Sequence, residues 1–280
     1  ANRPPIGVRD DLAARPDVIV TVASDHGRSM PHAGPQAAFA IGITDEVTTL
    51  GDMAVPQETF ASDPGFATGF VRHASEHGYD FAVLETFRPD HGTAIPALVM
   101  FPERQVPIVP VFVNANHPVV WPLPARVYAL GRLLAGYAAT GTKRVAVVGT
   151  GGLSHWPGMP EMGKVNAGFD QAFLADLAAG RAAECASWTY EYIFEHAGNG
   201  GLEINNWLFA AGAAGYAFVD IRPNYQANPE TRTVDVSFDV REGERVYVER
   251  IDVVGNTRTI DPVIRRELLL VEGDAFNRAL

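Results

Sequence analysis

Apolar positions in this chain fall into unbroken runs and helical stripes up to about residue 212, and into strict alternation after it. Asp17–Ala23 (DVIVTVA), Asp80–Glu85, Ile108–Val113 (IVPVFV) and Lys143–Val148 are short runs rich in β-branched and other apolar residues, stopped by Ser24, Glu85, Asn114 and Gly149 respectively. Such runs predict strands covered on both faces, the pattern of a parallel sheet. Between them the period changes to that of a helix. Pro64–Gly78 places Phe66, Phe70 and Ala74 on one face and stops at Gly78, and Pro124–Thr140 turns Val127, Leu130 and Leu134 inward before Gly141. Asn166 caps a helix carrying Phe169, Phe173, Leu174 and Leu177 as far as Gly180, and a last helix spans Gly201–Ala211. Arg88–Pro96, with two prolines and a glycine, reads as a loop. Strands alternating with helices predict an α/β fold, a central largely parallel or mixed sheet flanked by helices, with Lys143–Val148 as its central strand.

The pattern after residue 212 is different. Residues 1–212 carry 34 Asp, Glu, Lys and Arg while the remaining 68 carry 21, about twice the density, which sets a domain boundary near residue 213. Val234, Val236, Phe238 and Val240 alternate along Thr231–Val240, a turn follows at Glu242-Gly243-Glu244, and Val246–Val253 reads as a partner strand. Asp261 and Pro262 then open a helix through Leu270. The tail is thus a small α+β segment without evident chemistry.

Charge and composition remove several classes of function. A net charge of −11 with only two lysines, Lys143 and Lys164, argues against a nucleic-acid partner. No apolar run reaches the length of a membrane span, and no basic segment followed by an apolar one marks a secretory leader. The single cysteine, Cys185, permits no intrachain disulfide and suits a reducing, cytoplasmic setting.

Candidate chemistry concentrates where strands end. Val145–Val148 runs into Gly149, Gly151 and Gly152 and then Ser154-His155; Asp17–Ala23 runs into Ser24-Asp25-His26-Gly27. Both place an imidazole at the carboxyl edge of a sheet, where open α/β sheets bind ligands. The G-T-G-G-L-S-H spacing matches neither a dinucleotide nor a phosphate-loop fingerprint, and Trp156 after the Ser-His pair excludes a nucleophile elbow. His91 sits in the Arg88–Pro96 segment, and Glu203 opens the last helix, where a carboxylate also suits the helix dipole. Two imidazoles and a carboxylate make the facial triad of non-haem ferrous oxygenases. A second cluster, His73-Ala-Ser-Glu76-His77, has the H-x-x-E-H spacing of one class of metalloproteases; the alternative reading is a helix flank.

The blocks SDHGRSMPHAGPQAAFAIG, DHGTAIP, VPVFVNANHPVVWPLPARVYALG, KRVAVVGTGGLSHWPG, NAGFDQAFLADLAAGR and AGNGGLEINNWLFAAGA stand in one order and spacing. Over residues 15 to 212 they resemble the class III extradiol ring-cleaving dioxygenases, the superfamily of the protocatechuate 4,5-dioxygenase β-subunit. The resemblance implies meta cleavage of a catechol-type diol by O2 on Fe(II), as in aromatic hydrocarbon catabolism, in a homo-oligomer or beside a small second subunit. It places His26 and Glu203 on the metal and gives His155 and His91 acid–base roles. The family's other iron-binding histidine precedes the first matching block, and residues 1–25 contain no histidine. The expectation is therefore that the domain's N-terminal strand lies outside this chain. His32, on a Pro/Gly loop, matches no ligand motif. Trp156, Pro157 and Met159 follow His155 and are candidates to shape the substrate pocket.

Residues 216–280, through EGERVYVERIDVVGNTRTIDPVIRREL, resemble POTRA repeats of the outer-membrane barrel assembly factor, a periplasmic module: the end of one repeat and the start of the next. Together the two resemblances imply a chimera. The competing reading is a catalytically dead scaffold whose tail binds polypeptide by β-augmentation.

Overall fold

Residues 16–30, 34–100, 106–214, 219–228 and 233–242 are described by a computed structural model, the last two stretches as backbone only. In chain order the elements are β1 (Val18–Ala23), β2 (Phe39–Gly42), β3 (Glu46–Thr48), β4 (Thr59–Ala61), α1 (Pro64–Glu76), β5 (Ala82–Leu84), α2 (His91–Met100), β6 (Ile108–Val113) and α3 (Pro124–Thr140). There follow β7 (Val145–Gly149), α4 (Ala167–Ala178), α5 (Ala182–Cys185), α6 (Tyr190–Ala197), a 3₁₀ turn (Gly200–Glu203), α7 (Ile204–Ala214), β8 (Val219–Asn228) and β9 (Thr233–Glu242).

Five strands form one mixed sheet in the order β5-β2-β6-β1-β7. β1 runs parallel to β6 and β7, β2 runs parallel to β5, and only β2 against β6 is antiparallel. Alternate residues of β1 explain its unbroken apolar run. Val18, Val20 and Val22 pack with Phe66, Phe70, Val127, Leu130, Leu134 and Phe209 of the helical layer. Ile19 points the other way, to Val47 and Phe60 of the β3–β4 hairpin and Ala97 of α2. Both faces are covered, so neither can be polar. Complete burial of Phe70, Leu130 and Leu134 stabilises the fold by about 1.5–3 kcal/mol each.

The sequence places three features differently from the structure. β7 is an edge strand of the described sheet; β6 is central. An apolar run reports cover on its faces and is silent about neighbours in the plane. Residues 91–100 form a helix although Pro96 lies inside it, because Asp90 starts it: its carbonyl accepts the Thr93 and Ala94 N–H groups and its carboxylate the Gly92 N–H. In the tail, the strand expected at Thr231–Val240 is present as β9, and the preceding segment, where no strand was expected, pairs with it in register from Val219↔Glu242 to Asn228↔Thr233. Pro223 conceals β8 in the sequence, because proline donates no ladder hydrogen bond and is confined within sheets to edges, strand starts and bulges. The expected strand Val246–Val253, the helix from Asp261 and most of the POTRA-like stretch lie outside the described residues. Among the described residues no helix is long and apolar enough to cross a membrane.

Candidate active site

The carboxyl ends of β1 and β7 lie side by side, with Val22 opposite Gly149 and the Thr150 N–H donating to Val22 O at 2.9 Å. Each strand then releases a loop, and the two loops, α2 and the 3₁₀ turn before α7 enclose a cleft of about 290 Å³. His26, His91, His155 and Glu203 all line it. The residues singled out at four separate places in the sequence thus meet at one sheet edge.

His26 is fixed from behind. Asp90, fully buried, accepts from the His26 N–H at 2.9 Å and from His26 Nδ1 at 3.0 Å through Oδ2, and from the Gly92 N–H at 2.9 Å through Oδ1. Burial pushes the Asp90 carboxyl up, but these hydrogen bonds outweigh it and hold the group below its ordinary value. With Nδ1 committed, Nε2 faces Glu203 Oε1 at 2.9 Å. Hydrogen bonds to Asp90 and then to Glu203 raise the His26 imidazolium to about 10 against the opposing effect of burial.

Glu203 is buried at the end of the 3₁₀ turn, immediately ahead of α7, where the helix dipole also favours a carboxylate. Its Oε2 accepts the Gly152 N–H at 2.8 Å. Gly151 makes room for it: its φ is +111° and a Cβ there would lie 2.7 Å from Glu203 Oε2. The glycines after β7 therefore serve the carboxylate.

His155 is pinned through its backbone, its N–H donating to Ala197 O at 2.9 Å and its carbonyl accepting from Gly200 N–H at 3.1 Å. Its Nδ1 lies 2.8 Å from Leu153 O. A carbonyl only accepts, so Nδ1 carries the proton and Nε2 is the lone-pair nitrogen of the neutral ring. A side chain at Gly200 would overlap that ring. Ser154, beside it, is structural: its N–H and hydroxyl donate to Asp170 at 2.9 and 2.8 Å, and its oxygen accepts the Asn166 N–H.

His91 stacks on His26 with ring centroids 4.5 Å apart. Its N–H and Nδ1 are held by the two oxygens of Asp52 at 2.9 and 2.8 Å. Asp52 comes from the β3–β4 connection, and the next two residues, Met53 and Ala54, take left-handed φ values of 52° and 61°. Strained non-glycine backbone of this kind persists where surroundings over-determine it. Trp156 is buried under the Lys164 ammonium, 4.4 Å from its ring centroid, and neither it, Pro157 nor Met159 lines the cleft. His32 lies outside the described residues.

A family model described as the catalytic LigB subunit of aromatic ring-opening dioxygenase matches residues 8–239. The chain belongs to the LigB family. A relative named 2,3-dihydroxyphenylpropionate/2,3-dihydroxicinnamic acid 1,2-dioxygenase, from Mycolicibacterium gilvum, is 30% identical over 266 residues, covering 77% of this chain and 82% of its own length. A Klebsiella pneumoniae protein of the same name is 33% identical over 162 residues, 55% of this chain and 48% of its own. The crystal structure of an uncharacterized protein of Escherichia coli K12 shares the fold, with a TM-score of 0.52, 18% identity, and coverage of 85% of this chain and 93% of its own. The LigB match also runs through β8 and into β9, beyond the boundary expected at residue 213.

Whether the LigB-family cleft suits a ferrous ion is tested by its donors. Ligands about 2.1 Å from a metal and at right angles on it are about 3.0 Å apart. His26 Nε2 and Glu203 Oε1, at 2.9 Å, meet that spacing, and imidazole with carboxylate suits a borderline divalent ion. Asp90 supplies the carboxylate behind a ligating histidine that orients such rings. Among the described residues no third His, Cys or carboxylate donor joins that pair closely; the close group is His26, Asp90 and His91. The donors present fit two positions of the centre.

Sequence reasoning missed Asp90, Asp52 and Asp170, the carboxylates that hold His26, His91 and the Ser154 loop in place. Asp90 had a local signal, an Asp immediately before His-Gly at a helix start. Asp52, 39 residues from His91, had none.

Proposed function

We propose that this LigB-family chain is a cytoplasmic Fe(II)-dependent extradiol dioxygenase that opens a 2,3-dihydroxyphenyl ring bearing a carboxylated side chain, the substrate type in its relatives' names. His26 and Glu203 would hold the metal. The observation that carries this reading is the His26 Nε2 to Glu203 Oε1 approach at 2.9 Å, backed by Asp90, in a cleft that His91 and His155 also line.

Ferrous iron, when bound, would lower the pKa of the phenols and supply the redox chemistry with O2. The protein supplies proton transfer and orientation. His155, with its proton on Nδ1, presents Nε2 as the base that takes a phenolic proton. Asp52 holds His91 by Nδ1, which leaves His91 Nε2 to give or take the second proton. Gly152 N–H holds Glu203 by Oε2, which leaves Oε1, the oxygen facing His26 Nε2, to meet the metal. Ile95 and Pro96 of α2 give the cleft an apolar wall against which an aromatic ring can lie.

The test loads the protein with Fe(II) without oxygen, then adds 2,3-dihydroxyphenylpropionate, catechol or protocatechuate in air and follows the visible absorbance of a ring-opened product. Product from the first diol is expected, together with its loss in His155→Ala while iron stays bound. An iron-loaded wild type that opens none of the three rings overturns the reading.

A further inference from the structure

Away from the cleft, the last turn of α1 carries His73 and Glu76 and its C-cap residue is His77, and one nitrogen or oxygen of each lies within 4.8 Å of the others. We propose that these three residues form a second metal site, for a divalent transition ion of the zinc, nickel or cupric kind.

The spacing i, i+3, i+4 brings the three side chains to one face of the helix. The His73 and His77 rings lie 4.4 Å apart, and the Tyr137 ring of α3 lies 5.5 Å from that of His73 between centroids. His77 Nδ1 donates to the His73 carbonyl at 2.8 Å, which leaves Nε2 as the lone-pair nitrogen. Ligating histidines are oriented by such a bond to a backbone carbonyl. Packing does not account for the cluster, because Glu76 and His77 are exposed and His73 is only partly covered. The position at a helix C-terminus favours a cation.

The donors select the ion. Two imidazoles and a single carboxylate suit zinc, nickel and copper; calcium requires six to eight oxygens and magnesium keeps an oxygen and water shell. Three protein donors leave further coordination positions to water, so the ion exchanges with solvent. A bound ion ties residue 73 to residue 77 and so clamps the end of α1.

The experiment is equilibrium dialysis of the whole chain against Zn²⁺ alone, comparing wild type with His77→Gln and His73→Gln, each checked for folding by circular dichroism. Both variants should bind one ion fewer than wild type, or bind it at least tenfold more weakly, while His26→Gln keeps this ion. In parallel, trace Ni²⁺ should broaden the ring-proton resonances of His73 and His77, and the Zn²⁺-induced rise in melting temperature should shrink in His77→Gln. Folded His77→Gln and His73→Gln that bind Zn²⁺ with unchanged stoichiometry and affinity overturn the proposal.

Discussion

Asp90→Asn tests the support behind the cleft without changing its shape. The carboxylate is fully buried and accepts three hydrogen bonds: Gly92 N–H on Oδ1, and His26 N–H and Nδ1 on Oδ2. An asparagine has one oxygen. Its better orientation keeps that oxygen on His26 and turns its NH₂ group toward the Gly92 N–H, donor against donor. A buried N–H left without its acceptor costs about 1–3 kcal/mol, and replacing a charged partner of His26 with a neutral one costs about a further 1 kcal/mol. The metal-free variant should lose about 2–4 kcal/mol. At about 2–4 °C per kcal/mol for a domain of this size, the melting temperature should fall by about 5–15 °C. Looser orientation of His26 should also weaken divalent-metal binding by about 10–100-fold. Thermal melts followed by circular dichroism and anaerobic equilibrium dialysis with Fe(II) read the two effects separately. A variant melting within about 1 °C of wild type and binding iron equally well would refute the assignment of Asp90 as the anchor of His26.

Three further outcomes are expected. Gly151→Ala forces a side chain into a left-handed position 2.7 Å from Glu203 Oε2; about 1–3 kcal/mol of strain and at least a tenfold loss of metal affinity should appear in melts and dialysis. In the metal-free protein His26 holds its proton up to about 10, against about 6.5 in an unfolded chain. Its contribution to stability is complete below pH about 6.5 and is lost as pH rises toward 10, so melting temperature should decline from pH 7 to 10, and His26→Gln should flatten that decline. Cys185, whose thiol burial pushes up to about 12 with Asp176 and Glu184 adding to the effect, should resist iodoacetamide at pH 8 in the folded protein and react on unfolding, as mass spectrometry would show.

Much of the fold was legible because its signals are local. The α3 and α4 limits follow from Pro124 with Gly141 and from Asn166 with Gly180, and the buried stripe of α1 follows from Phe66, Phe70 and Ala74. What failed depends on contacts distant in sequence. The place of β7 in the sheet is set by pairing with β1, 127 residues away. α2 read as a loop because Pro96 weighed more in the sequence than the Asp90 cap does in the structure. Short β2, β3 and β4 and helices α5 and α6 carry too few periodic positions to stand out. At the site, His26, His91, His155 and Glu203, which line one cleft, were legible as polar residues at element ends and through family resemblance. Their anchors were not, since Asp52 and Asp170 reach His91 and Ser154 only after folding.

The central claim is tested most directly by one single-turnover measurement: the protein loaded with Fe(II), given 2,3-dihydroxyphenylpropionate and then ¹⁸O₂, with the product analysed by mass spectrometry and NMR. Cleavage beside the diol with one ¹⁸O in the new carboxylate and one in the new carbonyl group, and no product from His26→Ala or Glu203→Ala, is the predicted result. Cleavage between the two hydroxyls, or full turnover in either variant, would contradict the account.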